Sequence, residues 1–302
     1  MRLHVRSLWV AFCLLLAGCA ALSRQEAVPV AVQERATVLG TPGLRYWAGR
    51  DPADFVADTE AAYERELATW RAAGNRGPLP PAEFLAISGG GEDGAFGAGL
   101  LCGWTAAGTR PVFKGVTGAL TAPFAFLGPD YDDELRAVYT ETSAEHVLRQ
   151  RSYLAAILQD AAADTAPLRQ TIARYFDQRM LDAIAAEHAK GRILLIGTTN
   201  LDARRPIIWN VTKIAASGRP GALALVQDIL VASAAIPGAF PPVLIGSEVD
   251  GKPYQEMHVD GGASAQVFLY PPAISPRAQD RAAGVARQRR VLQLERLEVA
   301  RD

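Results

Sequence analysis

The chain has 302 residues, 49% of them hydrophobic, with 31 basic against 32 acidic side chains and a formal net charge of −1. That is enough apolar material for one large domain or two small ones. The balanced charge argues against a nucleic-acid partner, which usually requires a basic excess.

The N-terminus is the first informative segment. Arg2 and Arg6 precede an apolar run, Ser7 to Leu16, and Leu16-Ala17-Gly18-Cys19 closes it. The run is too short to span a bilayer and reads as a secretory signal. The closing LAGC resembles a bacterial lipobox. That resemblance implies cleavage before Cys19, lipidation of Cys19, and attachment to the cell envelope through a lipid anchor. Ala20 follows the cysteine, and the absence of Asp there favours the outer membrane, facing the periplasm. Cys13 leaves with the signal, so Cys102 is alone in the mature chain and no intrachain disulfide is expected. Its apolar neighbours, GLLCGW, suit packing rather than a reactive thiolate.

Residues 20–80 are expected to be a tether followed by a helix from Asp54 to Ala73, with Phe55, Tyr63, Leu67 and Trp70 near one face. Phe84 to Ser88 reads as a short buried strand, glycines follow, and a small-residue helix runs from Gly94 to about Thr105. FKGVTGALTAP, from Phe113 to Pro123, reads as a strand entering a helix through a glycine turn. Helical segments lie between Asp133 and Ala189. Arg192 to Thr198 and Ile207 to Val211 read as strands, and Gly221 to Ala234 as a helix. The uncharged stretch Ile229 to Gly246 is long, but Pro237, Pro241 and Pro242 exclude a continuous membrane helix. Strands alternating with helices predict an α/β layered domain.

Two constellations could carry chemistry. Ser88-Gly-Gly-Gly-Glu-Asp-Gly94 sits between a strand and a helix, where backbone N–H groups and the helix dipole converge on an anion. The glycine spacing also fits a dinucleotide fingerprint. However, RPVFKGVTG offers no acidic residue for a ribose, and Glu92 and Asp93 would repel a pyrophosphate. The oxyanion of an acyl-transfer intermediate is the better fit. The second constellation is His258-Val-Asp-Gly-Gly262, in which Asp260 ends a strand at a sharp turn. Asp-Gly alone is a common turn pair. Paired with an oxyanion loop, it suggests the base of a Ser–Asp dyad.

GGGEDGAFGAGLL, HVDGGASAQVFLYPP, LLIGTTNLDARRPIIWN and ASAAIPGAFPPV occur in an order that resembles the bacterial patatin-like phospholipases, over Phe84 to Pro272. The resemblance implies a three-layer α/β/α fold over residues 81–272 and a lipid acyl hydrolase that needs neither metal nor organic cofactor. Its partner would be a phospholipid or other acyl-lipid substrate. It also implies an oxyanion hole at Gly89, Gly90 and Gly91, and Asp260 as the base that activates a serine in a Gly-x-Ser-x-Gly elbow. His258 is expected to be a strand-end residue, and TTNLDARRPIIWN a strand pair flanking the cleft.

The elbow departs from the family. Where a relative would read like VTGVSTGALTAPF, this chain has VTGALTAPF, with Val116 or Leu120 at the serine position, depending on which side is aligned. The simplest account is loss of four residues between two Thr-Gly repeats. Thr117 is a candidate substitute nucleophile, although a β-branched residue is costly in a strained elbow. The tail, residues 273–302, carries seven arginines and little periodicity, and is expected to be a solvated end. The alternative to an impaired hydrolase is a non-catalytic lipid-binding or scaffold lipoprotein.

Overall fold

A computed structural model describes residues 24–49, 52–88, 93–140, 149–150, 163–263 and 287–294. Cys19 and the glycines at 89–91 lie outside these. The elements in chain order begin with β1 (Arg45–Trp47), α1 (Ala53–Ala72), β2 (Ala82–Ile87), α2 (Asp93–Ala106), β3 (Gly115–Gly118), α3 (Ala122–Leu127) and α4 (Asp132–Thr140). A two-residue pair, β4 (Arg149–Gln150) and β5 (Ala163–Asp164), precedes α5 (Ala166–Tyr175) and α6 (Gln178–Ala189). Then come β6 (Ile193–Asn200), β7 (Arg205–Asn210), α7 (Val211–Ala216), α8 (Ala222–Ala234), β8 (Val243–Val249), β9 (Lys252–Asp260) and β10 (Arg289–Leu294).

Eight strands form one mixed sheet in the order β1-β7-β6-β3-β2-β10, with the β8–β9 hairpin joined through β9 to β6. β2, β3, β6 and β10 are mutually parallel. β1, β7 and β9 are attached by antiparallel pairing. Strand alternation sends Leu85, Val116, Leu194 and Ile196 to one face, where they pack with Leu101, Phe124, Leu135, Ile184 and Ile229 from the helices. On the other face Leu195 and Ile208 meet Tyr46 and Phe55, the latter from α1. The sheet is thus covered by helices on both sides, the three-layer α/β/α arrangement.

The sheet extends past the expected boundaries of 81–272 at both ends. β1 lies in the region expected to be a tether, yet pairs with β7 and buries Arg45. The Arg-rich tail supplies β10, which runs parallel to β2 from Arg289↔Ala82 to Leu294↔Ile87. Its arginines occupy the exposed start of an edge strand, while Leu292 and Leu294 pack against the main core. Leu292→Asp should therefore lower stability by about 2–3 kcal/mol, read as a lower urea midpoint at unchanged slope. An unchanged midpoint would mean that β10 adds nothing to the sheet.

Candidate active site

The C-terminal ends of the parallel strands converge on one region. β3 occupies one flank of β6, with Thr117↔Leu195 and Gly118↔Ile196. Beyond Ile196 that flank is taken over by β9 running the opposite way, with Asn200↔His258 and Thr198↔Asp260. The two strands therefore point at each other along β6. Gly118 and Asp260 lie two β6 residues apart, about 7 Å along the strand.

Two glycines make this approach possible. A Cβ on Gly261 would sit 2.8 Å from the Gly197 carbonyl oxygen, so the chain after Asp260 must be glycine to lie against β6. A Cβ on Gly118 would meet the Ile87 carbonyl oxygen at 3.1 Å and the Ala122 Cβ at 3.2 Å. Ile87 ends β2, and the next residue, Ser88, donates its N–H to the Leu294 carbonyl (2.9 Å). Ser88 thus stands at the same end of the sheet as Gly118 and Asp260.

Asp260 is anchored by its backbone. Its N–H donates to the Ala235 carbonyl (3.0 Å), and its carbonyl accepts from Thr199 Oγ1 (3.1 Å). The carboxylate accepts from the Gly262 N–H (2.9 Å) and is only 8% exposed. Burial raises its pKa, with the Gly262 N–H acting against that shift. A carboxyl shifted in this direction holds a proton more readily than an exposed one, as a general base should.

The segment between β3 and α3 is Ala119-Leu120-Thr121, closed by an Ala122 N–H to Ala119 carbonyl bond of 3.0 Å. None of its three residues has a positive φ, so the strained turn that projects a nucleophile is absent here. Thr121 supplies the nearest hydroxyl after β3. It is 3% exposed and hydrogen-bonded to Tyr139 Oη (2.8 Å), whose pKa burial pushes up to about 12.

Thr117 is not brought to Asp260. It lies inside β3, paired with Ala86 and Leu195, and is 3% exposed. Because side chains alternate, Thr117 shares the Leu195 face, whereas Asp260, opposite Thr198, shares the Leu194 and Ile196 face. The candidate substitute nucleophile is thereby corrected: it points through the sheet, away from the base. Thr117→Val should leave any residual ester hydrolysis unchanged, and loss of measurable activity in that variant would reverse this assignment.

Behind Asp260 lies a buried polar chain that the sequence did not reveal. Arg45 grips Glu256 through two nitrogens (2.6 and 2.8 Å), and Asn200 Nδ2 donates to Glu256 Oε2 (2.9 Å). His258 Nε2 lies 3.2 Å from Glu256 Oε2, and its Nδ1 lies 2.9 Å from Thr198 Oγ1. Trp209 Nε1 donates to Thr198 Oγ1 (2.8 Å). Burial works against the Glu256 carboxylate, but the hydrogen bonds from Arg45 and His258 hold its pKa well below the ordinary range. His258 is 0% exposed and burial lowers its pKa, so it is a neutral internal residue, out of reach of a substrate.

The patatin-like phospholipase family matches residues 85–272, more than half of the chain and the span that contains the end of β2, all of β3 and β6, and Asp260. The chain belongs to the patatin-like phospholipase family. That makes it a member of a family of lipid acyl hydrolases. In fold it is also similar to VipD from Legionella pneumophila, with a TM-score of 0.39 and 12% identity, over 71% of this chain and 50% of that one. It thus spans half the length of that chain. No curated protein matches it. Within the patatin-like pattern, the strand β3, the helix α3 and the Asp-Gly-Gly turn are all in place, and the residues between Gly118 and Ala122 include no serine. Among the described residues no cluster of His, Cys, Asp or Glu could hold a metal ion.

Proposed function

We propose that this chain is a Ser–Asp-type lipid acyl hydrolase in architecture whose ester hydrolysis is severely reduced or lost. In a relative with an intact elbow, a serine attacks the acyl carbonyl and Asp takes its proton. N–H groups of the glycine loop, here Gly89, Gly90 and Gly91, hold the oxyanion; the ester C–O bond breaks, the alcohol leaves with the proton returned by Asp, and water then hydrolyses the acyl-serine to a free acid and serine. The observation that carries the reading is the relaxed three-residue turn beside a retained, buried Asp260. Losing the nucleophile in comparable serine hydrolases costs on the order of a million-fold in turnover.

Purified mature protein should show no fluorophosphonate labelling and no ester turnover above Asp260→Ala. Labelling sensitive to Asp260→Ala would overturn the proposal. Saturable retention of a fluorescent phospholipid, unchanged in Asp260→Ala, is the expected signature of the lipid-binding or scaffold alternative. The closely abutting β3 and β9 ends, kept without a nucleophile, support it. The lipobox pattern at Cys19 supports an envelope anchor that would hold this cleft beside its lipids. Radiolabelled palmitate incorporated by the natural chain and absent from Cys19→Ser would test it.

A further inference from the structure

Thr198 is the cross-strand partner of Asp260, and the two do not share backbone hydrogen bonds, because the Asp260 N–H goes to Ala235. In such a non-hydrogen-bonded pair the side chains stand close on one face, about 5 Å apart at Cβ. A threonine hydroxyl there has a carboxylate within reach of a rotamer change. Yet the Thr198 hydroxyl is committed elsewhere. It accepts from Trp209 Nε1 (2.8 Å) and lies 2.9 Å from His258 Nδ1. Glu256 Oε2, a carboxylate that can only accept, holds the proton of neutral His258 on Nε2 at 3.2 Å, which makes Nδ1 the acceptor of the Thr198 hydroxyl proton. Glu256 in turn is clamped by Arg45.

We propose that Trp209, Thr198, His258 and Glu256 form a positioning device that holds the Thr198 hydroxyl away from Asp260, so that the carboxylate keeps the Gly262 N–H as its donor and remains available as a proton acceptor. The inference rests on Asp260 being the family's retained base. The direction of its pKa agrees: burial raises it, the Gly262 N–H opposes, and no charged neighbour among the described residues acts on it. Among the described residues, the groups on its side of the sheet are Thr198 on β6, His258 and Glu256 on its own strand, and the Ala235 carbonyl at the end of α8. Of these, His258 is neutral and the charge of Glu256 is spent on Arg45.

The test is the titration of Asp260 in the full mature chain, labelled with 13C at aspartate carboxyls and assigned by loss of its signal in Asp260→Asn. His258→Phe removes the acceptor and frees the Thr198 proton to turn to Asp260. The carboxyl pKa should then fall by about one unit, a tenfold loss of proton affinity. His258→Asn keeps an acceptor near the Nδ1 position and should leave the titration unchanged. Thr198→Val should also leave it unchanged, and combining it with His258→Phe should abolish the fall. A fall shared by the Phe and Asn variants, or one that persists in the double variant, would overturn the proposal. If His258→Phe does not fold, Thr198→Val decides alone, since a rise in the Asp260 pKa there would mean that the hydroxyl already bonds the carboxylate. The readout is titration rather than turnover, so an inactive chain leaves the inference intact and testable.

Discussion

Inserting Val-Ser-Thr-Gly after Gly118 is expected to give a chain that labels with a fluorophosphonate and hydrolyses short acyl esters, against none for the parent. The register explains why. Gly118 stands opposite Ile196, on the face that carries Thr198 and Asp260. The second inserted residue, the serine, falls two positions beyond Gly118, in the turn where β3 stops short of Asp260. Leu120 occupies the turn position two beyond Gly118 now. Four added residues make about one helical turn, about 6 Å long, so Ala122–Leu127 can keep its buried face while α3 gains length at its start. The gain over the parent should be of the order of a million-fold, and Asp260→Ala in the inserted chain should remove most of it. A folded insertion variant that neither labels nor turns over would place the defect outside the elbow.

Glu256→Ala should be among the most destabilising single changes in the molecule. It leaves the Arg45 guanidinium buried against Trp209, with its two carboxylate bonds gone, at a cost of about 3–5 kcal/mol. Glu256→Gln, which can still accept from Arg45, should cost less. The same chain sets the acid response. His258 has a lowered pKa in the fold, so the unfolded chain binds its proton first as pH drops. Its stabilisation is present above the unfolded value of about 6.5 and is lost as pH falls below it, by up to about 1.4 kcal/mol per pH unit. The depressed carboxyl of Glu256 adds a further loss below the unfolded value of about 4.3. His188, also lowered by burial, contributes in the same sense as His258. Urea midpoints at pH 7 and pH 5 should therefore converge in His258→Asn, and an undiminished difference there would assign the acid sensitivity to His188.

The parts of this molecule that were legible in the sequence are those whose signal is local. The apolar run of β2, the small-residue α2 and the strand at Ile193 announce themselves by composition and length. Asp260 was found because a carboxylate before two glycines is a local pattern, and Gly261 is there because its Cβ would strike β6. What escaped notice depends on distance. β1 is three residues long, too short for periodicity, and is buried because Arg45 meets Glu256, 211 positions away. β10 begins with two exposed arginines and mimics a solvated tail until it is laid beside β2. The hydrogen-bonded chain behind Asp260 joins residues from β1, β6, β7 and β9, and no window of sequence contains it. Thr117 was misjudged for a related reason. Its neighbours were right, but the face of the sheet on which it lies is set by pairing with Leu195.

The head-on arrangement of β3 and β9 along β6 separates two properties that usually travel together. Every strand in the shared sheet is paired without help from the elbow, so the sheet closes whether or not a serine stands between Gly118 and Ala122. Removing the elbow should leave yield, solubility and melting behaviour close to those of an active relative. In the cell such a chain would accumulate to ordinary levels and escape the proteases that clear misfolded proteins.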